Sequence, residues 1–311
     1  MMAEATKKSS RIALLVVCAA LLAGLTVGSP AGAAAQNQPP PQPKKPKRLP
    51  PGAKGFENYA TRDASDKLAT GGATRGDLMD KATAEAQAAM AHGDAAYEKG
   101  QFKEAIEAFS RAAMLKPDLF RAHYALGAAY EAAGQFREAA AAYKVAVALK
   151  PDPMSDPSVV ILAQYALGNS HAAAGQHAEA INAYQKVIEQ LEKVGAPPAK
   201  PYYNLALSLD ALGRQQEAVA AFKKAVEIDP NYAEAHYNVG VLHSRAERYA
   251  EAVEAFRKAL AARADYPEAL YNLGLAYYLT DNNAGLTEQQ RKLQELKSPL
   301  AAELAKLSGG R

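Results

Sequence analysis

The chain contains no tryptophan, and Cys18 is the only cysteine among its 311 residues. One thiol cannot close an intramolecular disulfide, build a Cys-ligated zinc site or hold an iron–sulfur cluster. An excess of one charge is nearly lacking too: 36 Lys/Arg against 33 Asp/Glu leave a formal net charge of +3. That excess lies outside the bulk of the chain. Residues 1–55 carry Lys7, Lys8, Arg11, Lys44, Lys45, Lys47, Arg48 and Lys54 against Glu4, a net of +7, which leaves −4 for residues 56–311. A weakly acidic remainder argues against nucleic acid as a partner. Also missing are HExxH, GxSxG and a GxxxxGK[ST] phosphate loop. Those are spacings used by zinc hydrolases, serine hydrolases and nucleotide-binding loops. No cofactor and no metal are expected, and the chain does not read as an enzyme.

Three cations at residues 7–11 precede an uncharged run, Ile12 to Gly28, and AGAAA follows Pro30. A basic start, an apolar core and a small-residue A-x-A site make residues 1–35 a secretory signal peptide, with Ala33 and Ala35 at −3 and −1. The competing reading is a signal anchor, because 17 uncharged residues sit at the lower edge of the about 17–25 that span a bilayer. Membrane attachment through residues 12–28 would then follow. Either reading places the rest of the chain outside the cytoplasm, periplasmic or secreted if cleaved near Ala35. Cleavage removes Cys18, and a cysteine-free mature chain suits an oxidising compartment. Residues 36–76 are expected to be a proline-rich, disordered linker. Seven of the sixteen residues from Gln36 to Pro51 are proline, which favours polyproline II and excludes a helix or a paired strand.

From residue 77 a repeat takes over. Gly93 to Gly127 is 34 residues, and Ala206, Gly240 and Gly274 are spaced by 34 twice more. Seven residues after the small residue of each unit stands Gly100, Gly134, Gly175 or Gly213; twelve after it stands Ala105, Ala139, Ala180, Ala218 or Ala252. Four further on comes an aromatic: Phe109, Tyr143, Tyr184, Phe222 or Phe256. The pattern describes a helical hairpin. A small residue lets helix B cross helix A closely, and the mid-unit glycine suits the left-handed backbone at the end of helix A. The alanine of helix B permits the approach, the aromatic fills the gap beyond it, and Pro117, Pro151 and Pro230 close three units.

These matches resemble the tetratricopeptide repeat (TPR) family. The resemblance implies an all-α, right-handed superhelical solenoid over residues 77–281, with five full units starting near Ala86, Phe120, Ile161, Ala199 and Ala233. The first helix of a sixth unit starts at Pro267, and capping helices are expected over 282–311. The family's tryptophan is absent; Ala89, His123, Gln164, Tyr202, His236 and Leu270 stand at its place, and unit five has Glu247 where glycine is expected. Unit three breaks the period by seven and then four residues. Asp156-Pro157 reads as an early helix start, and LEKV reads as an extra turn before Gly195. Near the end, Thr287 and Gln290 have the spacing of a capping box, and Ser298-Pro299 restarts a helix carrying Leu300, Leu304 and Leu307.

In repeat register all six histidines (His92, His123, His171, His177, His236 and His243) replace core or packing residues, so they read as packing imidazoles. The informative stripe is on helix A. Tyr124, Tyr165, Tyr203, Tyr237 and Tyr271 share one register position, and Asn204, Asn238 and Asn272 follow three of them. In the family such positions face the inner groove or its edge, and stacked asparagines can hold the backbone of an extended peptide. A carboxamide both donates and accepts, so it can grip any peptide unit, and tyrosine adds contact area with little entropy loss. The competing reading is that Tyr-Asn-Leu-Gly only stabilises helix A. A two-carboxylate clamp is unexpected, because Met90, Asp94, Tyr124, Ala125 and Ala128 supply no cation. The function that follows is non-catalytic: a scaffold presenting a groove to a protein or extended peptide, in envelope assembly or secretion. The alternative is an architectural, self-associating component of a membrane complex.

Overall fold

The structure is a computed structural model and describes residues 75–149, 158–196 and 198–308. The expected signal or anchor, almost all of the linker, and the Asp156-Pro157 helix start lie outside the described residues. Thirteen helices and no strand occur among the described residues, and each helix packs on the next along the chain. They form helix pairs: α1 (Arg75–Glu98) with α2 (Phe102–Leu115), α3 (Phe120–Ala132) with α4 (Phe136–Ala148), and α5 (Ser158–Ala173) with α6 (His177–Glu192). The series continues with α7 (Ala199–Ala211) and α8 (Gln215–Ile228), α9 (Ala233–Arg245) and α10 (Tyr249–Ala262), and α11 (Pro267–Leu279) and α12 (Asn283–Glu295). A short α13 (Leu300–Ser308) packs on both α11 and α12.

The repeat residues do what their sizes dictate. Ala105, Ala139, Ala180, Ala218 and Ala252 are completely buried, and Phe109, Tyr143, Tyr184, Phe222 and Phe256 are the largest fully buried side chains. Helix A comes so close that a Cβ built on Gly127 would lie 2.7 Å from the Tyr143 ring, and one on Gly240 would lie 2.6 Å from Phe256. Four of these aromatics, all but Phe222, are knobs whose hole is the side chain that a helix A glycine lacks; in Phe222's unit the small residue is Ala206. Close packing of this kind leaves no room for one more methylene.

Every turn from helix A to helix B closes with a backbone N–H reaching back five residues, as from Gln101 to the Ala96 carbonyl at 2.9 Å and Arg248 to His243 at 2.9 Å. This bond needs a left-handed residue just before it. Gly100 supplies one at φ 73°, whereas unit five puts Glu247 there at φ 58°. A side chain in that region costs roughly 1–2 kcal/mol, and glycine adds back part of this as chain entropy in the unfolded state. Glu247→Gly is therefore expected to stabilise the protein by about 0.5–1 kcal/mol. A higher urea midpoint at unchanged slope would show it.

Three sequence expectations change. Helix α1 begins at Arg75, not near Ala86, because residues 77–92 contain no glycine or proline to stop it. Thr287 and Gln290 do not cap a helix: α12 starts four residues earlier, with Asn282 as its N-cap accepting from Gly285 N–H at 2.9 Å. Thr287 lies inside that helix and donates to the Asn283 carbonyl at 3.0 Å, the back-bonding that threonine adopts within a helix. Finally, α12 completes a sixth hairpin with α11, so only α13 acts as a cap. In unit three α5 and α6 run to 16 residues each, against 13 or 14 in the other helices of units two to six. As LEKV suggested, α6 continues to Glu192, and Gly195 at φ 74° ends the turn after it.

Candidate functional site

The tyrosine stripe is held from beneath by the aromatic knobs. Tyr124 meets Tyr143, Tyr165 meets Tyr184, Tyr203 meets Phe222 and Tyr237 meets Phe256, with ring centroids 5.5–5.9 Å apart. Residues at the entrance to helix A add further rings: Tyr232 stacks on Tyr203 at 4.9 Å and Tyr266 leans on Tyr237 at 5.0 Å. Tyr271 is half-buried like the others, but its own helix B offers Gln290 in place of the aromatic. All five tyrosines keep one edge toward solvent.

The asparagines bind the units to one another. Asn204 Nδ2 donates to the Tyr165 hydroxyl at 2.8 Å, Asn238 Nδ2 to Tyr203 at 3.2 Å and Asn272 Nδ2 to Tyr237 at 3.0 Å. Each amide nitrogen makes a second bond: Asn204 to Asn169 Oδ1 at 3.0 Å, Asn238 to the Glu234 carbonyl at 2.8 Å, and Asn272 to the Glu268 carbonyl at 2.9 Å. The donors of the carboxamides are thus committed inside the protein. Among the described residues nothing occupies Asn238 Oδ1 or Asn272 Oδ1, nor takes the O–H hydrogens of Tyr203 and Tyr237. Burial raises these phenols, and pushes Tyr165 up to about 12, so they stay protonated donors at neutral pH. The stripe therefore exposes acceptors from asparagine and donors from tyrosine, a narrower chemistry than a free carboxamide offers.

Charged side chains near the stripe are paired, two of them across units and Arg263 with Glu234 within unit five. Arg121 meets Asp94 at 2.6 Å, Arg245 clasps both oxygens of Asp210 at 2.9 Å, and Arg263 reaches Glu234 at 2.7 Å while lying 3.7 Å above the Tyr266 ring. Glu131 is different. It is half-buried and accepts one bond, from the Tyr143 hydroxyl at 3.1 Å; burial raises its carboxyl above the usual range, with that bond opposing. Nothing in the repeat pattern marks Glu131 as a site residue. Its signal is register: it stands 34 residues after Tyr97, which sets the two side by side.

The histidines divide into distinct roles. His123 and His236, at the site of the absent tryptophan, place Nε2 3.0 Å from the carbonyls of Pro117 and Pro230. Each must carry its proton on that nitrogen, and so ties the start of helix A to the proline before it. His171 Nδ1 bonds Gln176 at 2.8 Å. His177 and His243 are part-buried with a covered Nδ1, and burial lowers His243. His92 departs from the packing role: its side chain is 61% exposed and meets Glu104 at 3.0 Å. Among the described residues no group of three His, Cys, Asp or Glu side chains could hold a metal ion, and no helix is long and apolar enough to cross a membrane.

Comparison with known proteins places this architecture. Models described as TPR repeat match residues 93–134 and 245–281, and tetratricopeptide-repeat models match 120–153, 159–231 and 221–254. Together they span more than half of the chain. No curated protein matches it. Among solved structures, MamA is 29% identical over 58% of this chain and 92% of its own, with a TM-score of 0.51. MamA from Desulfovibrio magneticus RS-1 is 20% identical over 58% and 96%, with a TM-score of 0.50. PilF from Pseudomonas aeruginosa is 15% identical over 75% and 99%, with a TM-score of 0.53. The last two share the fold. The chain belongs to the tetratricopeptide-repeat family, whose members are typically non-catalytic scaffolds for protein interaction.

Proposed function

We propose that this protein works outside the cytoplasm, exported or anchored through residues 1–35, as a scaffold that holds an extended peptide of a partner along its helix A face. A role in envelope assembly or secretion suits that placement. The observation that carries the binding surface is the pairing of Tyr203 with Asn238 and of Tyr237 with Asn272. Each pair leaves one O–H donor and one carboxamide acceptor uncommitted, the complement of a peptide unit's C=O and N–H. The remaining amide bonds hold both groups at fixed separation, so little ordering is needed when a ligand arrives. The tyrosine rings add apolar contact without reading the partner's side chains.

Crosslinking in the native envelope, followed by identification of partners, tests this for wild type, Asn204→Ala/Asn238→Ala/Asn272→Ala and Tyr203→Phe/Tyr237→Phe. Two or three lost hydrogen bonds at about 0.5–1.5 kcal/mol each are expected to weaken a captured partner at least about tenfold. The phenylalanine pair keeps the rings and the packing beneath them, so it isolates the hydroxyls. Unchanged capture by both variants would remove the helix A face from consideration. Recovery of only further copies of this chain would make the protein an architectural component.

A further inference from the structure

Glu131 stands where two other observations on the same face converge. Its register equivalent two units on is Asp210, both of whose carboxylate oxygens accept from Nη1 of Arg245 in the next unit. The residue of unit three that corresponds to Arg245 is Ala173. Unit two therefore presents the carboxylate, but unit three withholds the cation. The other acids of this face either have an arginine, as Asp94, Asp210 and Glu234 do, or stand in water, as Glu98 and Glu268 do. Among the described residues Glu131 has only the Tyr143 hydroxyl. A carboxylate can accept about four hydrogen bonds, and a half-buried one gains most from a charged donor.

The surroundings suit a cation as well. Tyr124 lies 5.5 Å from Tyr143, and the Glu131 charge raises the phenols of Tyr97, Tyr124 and Tyr143, in each case behind the larger effect of burial. Glu131 supplies the counter-charge, the part-exposed Tyr97 and Tyr124 supply ring surface for a stacked cation, and the buried Tyr143 holds the carboxylate through its hydroxyl. The protein already uses that combination where Arg263 lies over Tyr266 and bonds Glu234, and again where Arg257 lies 5.7 Å over Tyr277 and meets Glu254.

We infer that Glu131, with Tyr97, Tyr124 and Tyr143, forms a pocket for one lysine or arginine side chain of the bound peptide. This rests on the helix A face being the binding surface and adds to it the one position at which the partner's side chain is read. An acidic side chain there would meet like charge, and a neutral one would leave the carboxylate uncompensated.

The test titrates the full-length protein, by calorimetry, with two capped alanine–proline octapeptides that differ only in a central lysine or norleucine. The lysine peptide is expected to bind about tenfold or more tightly than the norleucine peptide. Glu131→Gln, which can still accept from Tyr143, should erase that preference. Ala173→Arg supplies the missing internal guanidinium in the manner of Arg245 and should erase it too, while norleucine binding stays as it was. Tyr203→Phe/Tyr237→Phe should weaken both peptides alike. A lysine preference that survives in both Glu131→Gln and Ala173→Arg overturns the pocket. Equal binding of the two peptides to wild type overturns it as well and leaves the groove standing, whereas failure of both peptides to bind overturns pocket and groove together.

Discussion

Phe256→Ala is expected to lower stability by about 3–5 kcal/mol, the cost of an aromatic removed from a site that cannot collapse. Phe256 has no exposed surface, and its ring fills the hole left by Gly240 and carries Tyr237 above it at 5.8 Å. The site is rigid because both walls are helices packed on each other, with Ala252 and Gly240 buried between them. The reverse change tests the same fit. Gly240→Ala puts a methyl 2.6 Å from the ring and should cost about 1–3 kcal/mol, against the gain of up to about 1 kcal/mol that alanine brings to a helix. In the Phe256→Ala background the clash disappears, and Gly240→Ala should turn neutral or stabilising. Urea denaturation of the four proteins gives the coupling directly. Additive single effects would mean that the two residues do not share the hole.

These knob-and-hole pairs are legible in the sequence itself, because a small residue and an aromatic at fixed spacing leave one geometry for a hairpin. Gly127 with Tyr143, Gly168 with Tyr184 and Gly240 with Phe256 meet as their spacing requires. The candidate site is legible only in outline. A spacing of 34 or 35 residues brings Tyr203 and Asn238 onto the same face, but it cannot reveal that the amide nitrogen is spent on the hydroxyl of the unit before. That bond depends on side-chain rotamers, on which spacing is silent. The histidines carry a subtler signal: His123 and His236 each follow a proline by six residues, and each bonds that proline's carbonyl. Glu131 has its signal in register, 34 residues after Tyr97 of the unit before and matching Asp210 two units later. Its meaning emerges only when Arg245 is seen to answer Asp210 while Ala173 fails to answer Glu131.

Leu304→Ala is the second large effect, about 2–5 kcal/mol, and its cause also explains why the repeat pattern does not reveal the sixth hairpin. Helix B of that hairpin has Leu286 at the alanine position and Gln290 at the aromatic one, so the pattern stops before the hairpin does. The hole of Gly274 is filled from elsewhere. Leu304 of α13, fully buried, brings a methyl carbon to 2.5 Å from where a Cβ of Gly274 would stand, and Gln290 Nε2 donates to the Leu304 carbonyl at 3.2 Å. The cap does not only cover the last unit but supplies its missing knob. In a solenoid each unit leans only on its neighbours, so the damage from Leu304→Ala should stay local. Hydrogen exchange should show α11, α12 and α13 losing protection while α1 to α4 keep theirs. Gln290→Phe in the Leu304→Ala background restores an aromatic at its usual place and should recover part of the loss. Uniform loss of protection from α1 onward would instead mean that the stack unfolds as one unit, with the cap holding every hairpin and not just the sixth.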